Sequence, residues 1–485
     1  MILSLNKVFE RLLKIKNLEF YVLAIILLFG LVVRLYKINN PLADWHSFRQ
    51  ADTASVSRTY LEEGINLLIP RYHDISRVQS GIFNPNGYRF VEFPIYNAIH
   101  AITYKLVPIF SFEATGRLIS IICALITAIF MYLIGSKIYI KRIGVLFALF
   151  YLFIPYNIYF TRVILPEPMA VMFAVVSCYL FINYSENKKS ISLLLSALML
   201  SLGVLIKPYV IVYGLVTLIY FYREVGYKKL YKNKDLIIFS LIILVPFILW
   251  RFWMAKFPAG IPFWKWTFNG DGIRFKPAFW RWIFGERLGN LILGVWGMVP
   301  FIFGILNLKK KDWFVLSLLA GSFLYVAVFA TANVRHDYYQ SIIIPPVAMV
   351  LGLGSYYLWQ NKISNLKLQR TILIFSLAMM FIFALTQVRE YYNINKPEII
   401  AAGAAINRLV PKNSLIIAAY NGDTAFLYQT KRKGWPVVEL PINELIDEGA
   451  EYYTTVNLND PQAQEFMRKF KVIEKTDQYV IIKLQ

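Results

Sequence analysis

The chain has 485 residues, 58% of them hydrophobic and 16% charged, with a mean hydropathy of +0.51, whereas a soluble globular chain is roughly 45–50% apolar and about 25% charged. That argues against a soluble enzyme of this length. The 51 Lys and Arg against 29 Asp and Glu give a net charge of +22, but the basic residues sit in short clusters between long apolar runs, so membrane topology explains them and nucleic acid is set aside as a partner. Cys123 and Cys178 both lie inside apolar runs and supply neither a disulfide framework nor a zinc spacing.

Apolar runs of roughly 20 residues predict about eleven membrane helices, near 19–36, 115–136, 143–159, 165–184, 190–206, 208–222, 236–253, 288–307, 313–332, 340–359 and 371–388. The first lies well inside the chain and has no small-residue cleavage site after it, so it reads as a retained span and not a signal peptide. The loop 38–114 predicts short interfacial helices, one amphipathic over 52–63 and stopping at Gly64, one over 94–109 interrupted by Asn97, His100 and Lys105. Residues 389–485 alternate helix-like stretches (398–409, 461–470) with strand-like ones (414–419, 479–484) around the turn Asn421-Gly422-Asp423. The expected architecture is an all-α polytopic membrane module over 1–388 with a small extracytoplasmic α/β domain over 389–485.

Orientation follows from charge, because short cytoplasmic loops carry excess Lys and Arg. Lys7, Arg11, Lys14 and Lys16 precede the first span, and Lys137 to Arg142, Lys188 and Lys189, Arg223 to Lys234, Lys309 to Lys311, and Lys362 to Arg370 fill every second connection. This predicts a multi-pass protein of the plasma or inner membrane, with the N-terminus cytoplasmic and the C-terminal domain outside.

Ionisable residues near membrane depth are costly, and here they gather on the predicted external face: Asp44, His46, Arg49, Asp52, Arg58, Asp74 and Glu92 in the first loop, then Arg162, Glu167, Lys207, Arg335, His336 and Asp337. Mixed acids and bases there suit transfer of a sugar from a polyprenyl phosphate. The lipid phosphate is a good leaving group that cations or a metal stabilise, and one carboxylate then suffices as general base on an acceptor hydroxyl or amine. Displacement in one step inverts the anomeric centre. A secondary transporter or lipid flippase is the rival reading, but it would place polar residues and broken helices near the midplane of two repeated halves, and no halves repeat here.

Several segments carry a resemblance: Asp44-Trp45-His46-Ser47-Phe48-Arg49-Gln50-Ala51-Asp52, Glu92-Phe93-Pro94-Ile95-Tyr96, Gly116-Arg117-Leu118-Ile119-Ser120, Arg162-Val163-Ile164-Leu165-Pro166-Glu167-Pro168, Ile206-Lys207-Pro208 and His336-Asp337-Tyr338-Tyr339-Gln340. Their order and common face resemble the GT-C fold glycosyltransferases, in the branch of protein O-mannosyltransferases and the aminoarabinose transferase of lipid A (glycosyltransferase family 39). The resemblance spans residues 15–390 or so. It implies a polyprenyl-phosphate sugar donor, a glycan, lipid or protein acceptor, a first-loop acidic residue as catalytic base, a second-loop acidic residue organising the site, and basic residues on the donor phosphate.

The family often has an Asp-Glu pair after the first span; here Trp45 follows Asp44, and Asp52 lies eight residues beyond it. Asp44, in an irregular stretch after Pro41, is the expected base, with Asp52 the alternative because it also suits a helix N-cap. Glu92 and Glu167 are the other catalytic carboxylates, although Glu167 also suits a helix start. Arg49, Arg162, Lys207 and His336 are the expected phosphate ligands, against the ordinary snorkelling of basic residues at helix ends. Asp44, Glu167 and His336 could share a magnesium or manganese ion, though no spacing compels it. The Trp-rich segment 254–287 reads as an interfacial belt or as a cover over the site.

Overall fold

The computed structural model describes residues 18–360 and 365–485; the basic clusters expected at Lys7 to Lys16 and at Lys362 fall outside them. Among the described residues six helical segments are long and apolar enough to cross a membrane: Phe112–Ile138, Glu167–Asn187, Lys234–Met254, Lys310–Val328, Asp337–Gln360 and Leu366–Tyr392. The chain is a multi-pass membrane protein. The helices used below are α1 (Leu18–Arg34), α2 (Ser47–Glu63), α3 (Ile95–Leu106), α4 (Phe112–Ile138), α5 (Lys141–Phe153), α6 (Glu167–Asn187), α7 (Ser190–Ile206) and α8 (Lys234–Met254).

The other five predicted spans are shorter or broken, each for a local reason. Helix α1 has 17 residues. Helix α5 ends at Ile154, where Pro155 opens a separate six-residue turn; Pro208 likewise ends α7 and starts a 3-10 turn before the next helix, since proline disfavours helix at the residue before it. The stretch near 288–307 is a π-helix over Trp282–Ile292, a left-handed break at Gly294 (φ +49) and Val295 (φ +60), and a nine-residue helix Met298–Leu306. A Cβ at Gly294 would meet the Met380 carbonyl oxygen at 2.3 Å, so only glycine permits that approach. Non-helical backbone at such depth is tolerated where protein buries it.

Helix α2 begins at Ser47, five residues before the expected start, after a left-handed turn at His46 (φ +53). Asp52 is therefore mid-helix and not an N-cap. The expectation of an amphipathic interfacial helix is also corrected: Arg49 to Ser57 are all buried, and this Ser, Thr and Ala-rich helix is enclosed on most sides. No apolar period marks it because its polar groups bond inward, as where Asn97 Nδ2 donates to the Thr53 carbonyl at 2.7 Å.

At the C-terminal end a mixed five-stranded sheet has the order β2-β1-β3-β5-β4, with β1 (Leu415–Ala419), β2 (Gly434–Trp435), β3 (Ala450–Thr455), β4 (Lys471–Lys475) and β5 (Val480–Lys483). Strands β2, β1 and β3 run parallel; β5 pairs antiparallel with β3 and β4. The domain is bolted onto the first loop: Gly434 and His73 to Ile75 exchange backbone hydrogen bonds at 3.0 Å, and Arg77 bridges Glu439 at 3.1 Å and Glu448 at 2.5 Å. Helix α9 (Thr424–Thr430) packs against α2, with Tyr428 donating to Glu113 of α4 at 2.8 Å.

Candidate active site

A cavity of about 540 Å³ opens where α2, the loop before α3, the ends of α7 and α8, and residues 336–339 converge. Arg49 and Asp52, three apart on α2, share the face that lines it. Glu92 is fixed just before α3 by the Phe93 N–H donating to the Leu205 carbonyl at 3.0 Å, which sets it beside Lys207 at the end of α7.

These side chains form one buried network. Glu92 pairs with Arg49 and, at 3.2 Å, with Lys207, whose ammonium also meets Glu167 at 2.6 Å. Asp52 pairs with Arg89 at 2.5 Å and accepts from the Thr424 hydroxyl at 2.7 Å. Burial alone would raise the Glu92 carboxyl, but Arg49 and Lys207 outweigh it and hold Glu92 below the usual carboxylate range. Burial opposes the charge on Arg49, and Glu92 with Glu167 behind it more than restores it. Arg49, Lys207, Glu92 and Glu167 are thus brought together as the sequence suggests.

Asp44 and Arg162 are brought together elsewhere. Their side chains are fully enclosed, the Asp44 carboxylate lying 3.6 Å from Arg162 and 3.9 Å from Arg117 while accepting from Gln50 at 2.7 Å. Arg162 also donates to the Lys37 carbonyl at 2.6 Å. Neither residue lines that cavity, so the expected base and one expected phosphate ligand form a separate, enclosed ion cluster; Asp44 instead borders a smaller cavity of about 210 Å³ between the start of α2 and the C-terminal domain.

His336 does line the cavity, among the rings of Trp266, Tyr338 and His46. Burial, with the neighbouring His46, pushes it down to about 4. It is uncharged at neutral pH and can contact a phosphate only as a neutral hydrogen-bonding group. Its neighbour Asp337 is fully committed, to His46 at 2.5 Å, Trp45 at 3.0 Å and Tyr391 at 2.6 Å. Among the described residues no group of three or more His, Cys, Asp and Glu could hold a metal ion; Asp44, Glu167 and His336 do not converge, each carboxylate being occupied by cations, so the proposed shared ion does not fit these residues.

Arg89 and Arg251, which carry no expectation from the sequence, also line the cavity. Arg251 lines the cavity from the last turn of α8, meets the Met254 sulfur at 3.4 Å and lies 5.8 Å from the centre of the Trp264 ring, and has no ion pair among the described residues. An arginine inside an apolar span was the available signal. The segment 254–287 closes the cavity with Ile261, Phe263, Trp264, Trp266 and Phe268. It is stitched down by the Phe90 N–H donating to Gly260 at 2.7 Å and the Phe263 N–H donating to Gln79 at 2.8 Å. Phe263, Trp264 and Phe275 remain exposed, so the segment serves both as cover and as an apolar fringe.

The structure of ArnT from Cupriavidus metallidurans bound to undecaprenyl phosphate is similar over 95% of this chain and 97% of its own, with a TM-score of 0.66 at 11% identity. The family model for dolichyl-phosphate-mannose-protein mannosyltransferase matches residues 93–253. The chain shares the fold of ArnT, the GT-C glycosyltransferase fold. The apo oligosaccharyltransferase of Archaeoglobus fulgidus shares that GT-C fold over 90% of this chain and 70% of its own, with a TM-score of 0.61 at 11% identity. Archaeal AglB from the same organism, solved with an inhibitory peptide and a dolichol-phosphate, matches over 96% and 74%, with a TM-score of 0.55 at 9% identity. Among curated proteins none matches by sequence. Within the GT-C fold, the family-model match takes in Glu167, Lys207 and Arg251.

Proposed function

We propose that the chain is an inverting membrane glycosyltransferase that moves a sugar from a polyprenyl-phosphate donor to an acceptor on the extracytoplasmic face. One observation carries this most: four cations, Arg49, Arg89, Lys207 and Arg251, face the cavity, and three carboxylates, Asp52, Glu92 and Glu167, oppose them. One positive charge is left over, which matches the single negative charge of a sugar phosphodiester and gains strength as the leaving phosphate acquires its second. Apolar Val204, Ile211 and Phe247 line the same cavity, and α8 is mostly exposed on the outside of the bundle, so the lipid tail has an apolar path to the bilayer.

Arg49, Lys207 and Arg251 hold the phosphate, with Glu92 and Glu167 setting the positions of the first two. Glu92 is a weak base because it is held between two cations, whereas Asp52 has one, Arg89, and faces the cavity while bonding Thr424 of the C-terminal domain. Asp52 therefore takes the acceptor proton, the acceptor oxygen or nitrogen bonds to the anomeric carbon, and the carbon–oxygen bond to phosphate breaks with its electron pair leaving on phosphate. Residues 1–388 form the membrane module with eleven crossings, an interior N-terminus and the C-terminal domain outside, supported by the alternation of Lys and Arg among its connections. Purified protein in vesicles, given polyprenyl-phosphate sugars and candidate acceptors, should release polyprenyl phosphate and yield a product of inverted anomeric configuration by mass spectrometry and NMR. Absence of donor turnover with every sugar tried would overturn the proposal.

A further inference from the structure

Phe48 lines two cavities. One is the donor cavity; the other, of about 210 Å³, lies between the start of α2 and the C-terminal domain. The walls of the second carry Trp45 and His46 on one side and Lys396, Tyr420 and Asp423 on the other. Asp52 follows Phe48 by one helical turn, faces the donor cavity, and is bonded to Thr424, the residue next to Asp423. Helix α2 thus separates the two cavities, with Phe48 bordering both and the Asp52 carboxylate one turn further on the donor side.

We infer that the smaller cavity binds one sugar ring of the acceptor, so that the chain glycosylates a carbohydrate. The inference rests on the proposed transferase reading and adds the acceptor class to it. Composition supports it first. Trp45, Phe48 and Tyr420 offer aromatic surface to the C–H faces of a pyranose, and Lys396, Asp423 and His46 offer polar edges to its hydroxyls. The Trp45 platform is fixed, since its ring stacks on Tyr391 at 4.8 Å and 8° and its Nε1–H is held by Asp337.

Charge is the second support. Lys396 is matched in number by Asp423 on the same wall, Asp44 borders the cavity with its carboxylate turned to Arg117 and Arg162, and His46 is already committed to Asp337 at 2.5 Å, so the lining carries no excess of positive charge to capture a phosphate or carboxylate. An uncharged polyol fits. Size and access are the third: the cavity has less than half the volume of its neighbour, and Trp45, Asn395 and Lys396 at its rim are exposed. In the transfer step a ring hydroxyl gives its proton to Asp52 and its oxygen bonds to the anomeric carbon as the phosphate leaves.

The test uses the full chain in vesicles with a polyprenyl-phosphate hexose as donor. Methyl glycosides of glucose, mannose and N-acetylglucosamine, a Ser/Thr peptide and a phospholipid are the acceptor arms. At least one glycoside should be glycosylated, its KM should rise tenfold or more in Tyr420→Ala and Lys396→Gln, Tyr420→Phe should restore it, and donor KM should move less than twofold. Transfer to peptide or phospholipid alone, or an unchanged glycoside KM in both variants, overturns the inference. Release of the donor sugar to water, scored without acceptor, reports separately on the transferase reading; if that release is also absent, both fall together.

Discussion

Two charged clusters sit on the first loop, and they differ in what they leave open. Around Asp44, a lone carboxylate faces two guanidiniums, with all three side chains sealed from solvent. Around Glu92, cations and carboxylates of similar number face a cavity of about 540 Å³. The sealed cluster ties α4 and the segment before α6 to the first loop. The open cluster has somewhere to put a ligand. Both clusters border a cavity, Asp44 the smaller one, but only the open cluster presents its charged side chains to the space beside it.

The largest break in this contrast should come from Lys207→Met. It strands Glu167 as a buried carboxylate without its cation and leaves Glu92 with Arg49 alone, a cost of roughly 3–5 kcal/mol for a broken buried pair, and removes a phosphate ligand. Donor turnover per folded molecule should fall a hundredfold or more, with a lowered melting temperature; turnover within threefold of wild type would place the phosphate elsewhere. Arg251→Gln should be milder, because this arginine has no ion pair among the described residues to strand. A charge-assisted hydrogen bond is worth about 1.5–3 kcal/mol, so donor KM should rise about ten- to a hundredfold, with little change in melting temperature. An unchanged donor KM would remove Arg251 from the site.

The smallest effect concerns stability against pH in the loop that joins the two clusters to the C-terminal domain. Burial pushes His73 down to about 3, helped by Arg58 and Arg89, and pushes Asp74 up to about 6 against the bonds from Ser76. Between about pH 3 and 6.5 the unfolded chain binds the His73 proton and the folded chain does not, so His73 makes stability rise with pH. Between about pH 4 and 6 the folded chain holds the Asp74 proton and the unfolded chain does not, so Asp74 makes stability fall with pH. Thermal melts from pH 4 to 7 should therefore steepen with pH in Asp74→Asn and flatten in His73→Phe. Parallel changes in both would contradict these assignments.

Much of the bundle was legible in the sequence because apolar length and basic alternation are local properties. Lys207 was legible too, as a lysine on the face that carries few. The two aspartates were not separable, because Arg117 and Arg162, which seal Asp44, come from 73 and 118 residues further along the chain. The start of α2 was misplaced because a helix buried on most sides by polar contacts shows no apolar period. Arg251 left one signal, a guanidinium inside an apolar span, but nothing local to it says that it faces a cavity. The five strands were partly visible, but not that Thr424 at their edge reaches Asp52.

The most direct test compares Asp52→Asn with Asp44→Asn in vesicles, measuring donor turnover with acceptor per folded molecule, with melting temperature alongside. Loss of a general base typically costs about 10²–10⁴ in rate. Asp52→Asn should lose at least a hundredfold in kcat with donor KM nearly unchanged, while Asp44→Asn should melt earlier and keep turnover within several-fold of wild type. The reverse pattern, with Asp44→Asn inactive at full stability and Asp52→Asn active, would contradict the assignment of the open cluster as the catalytic one.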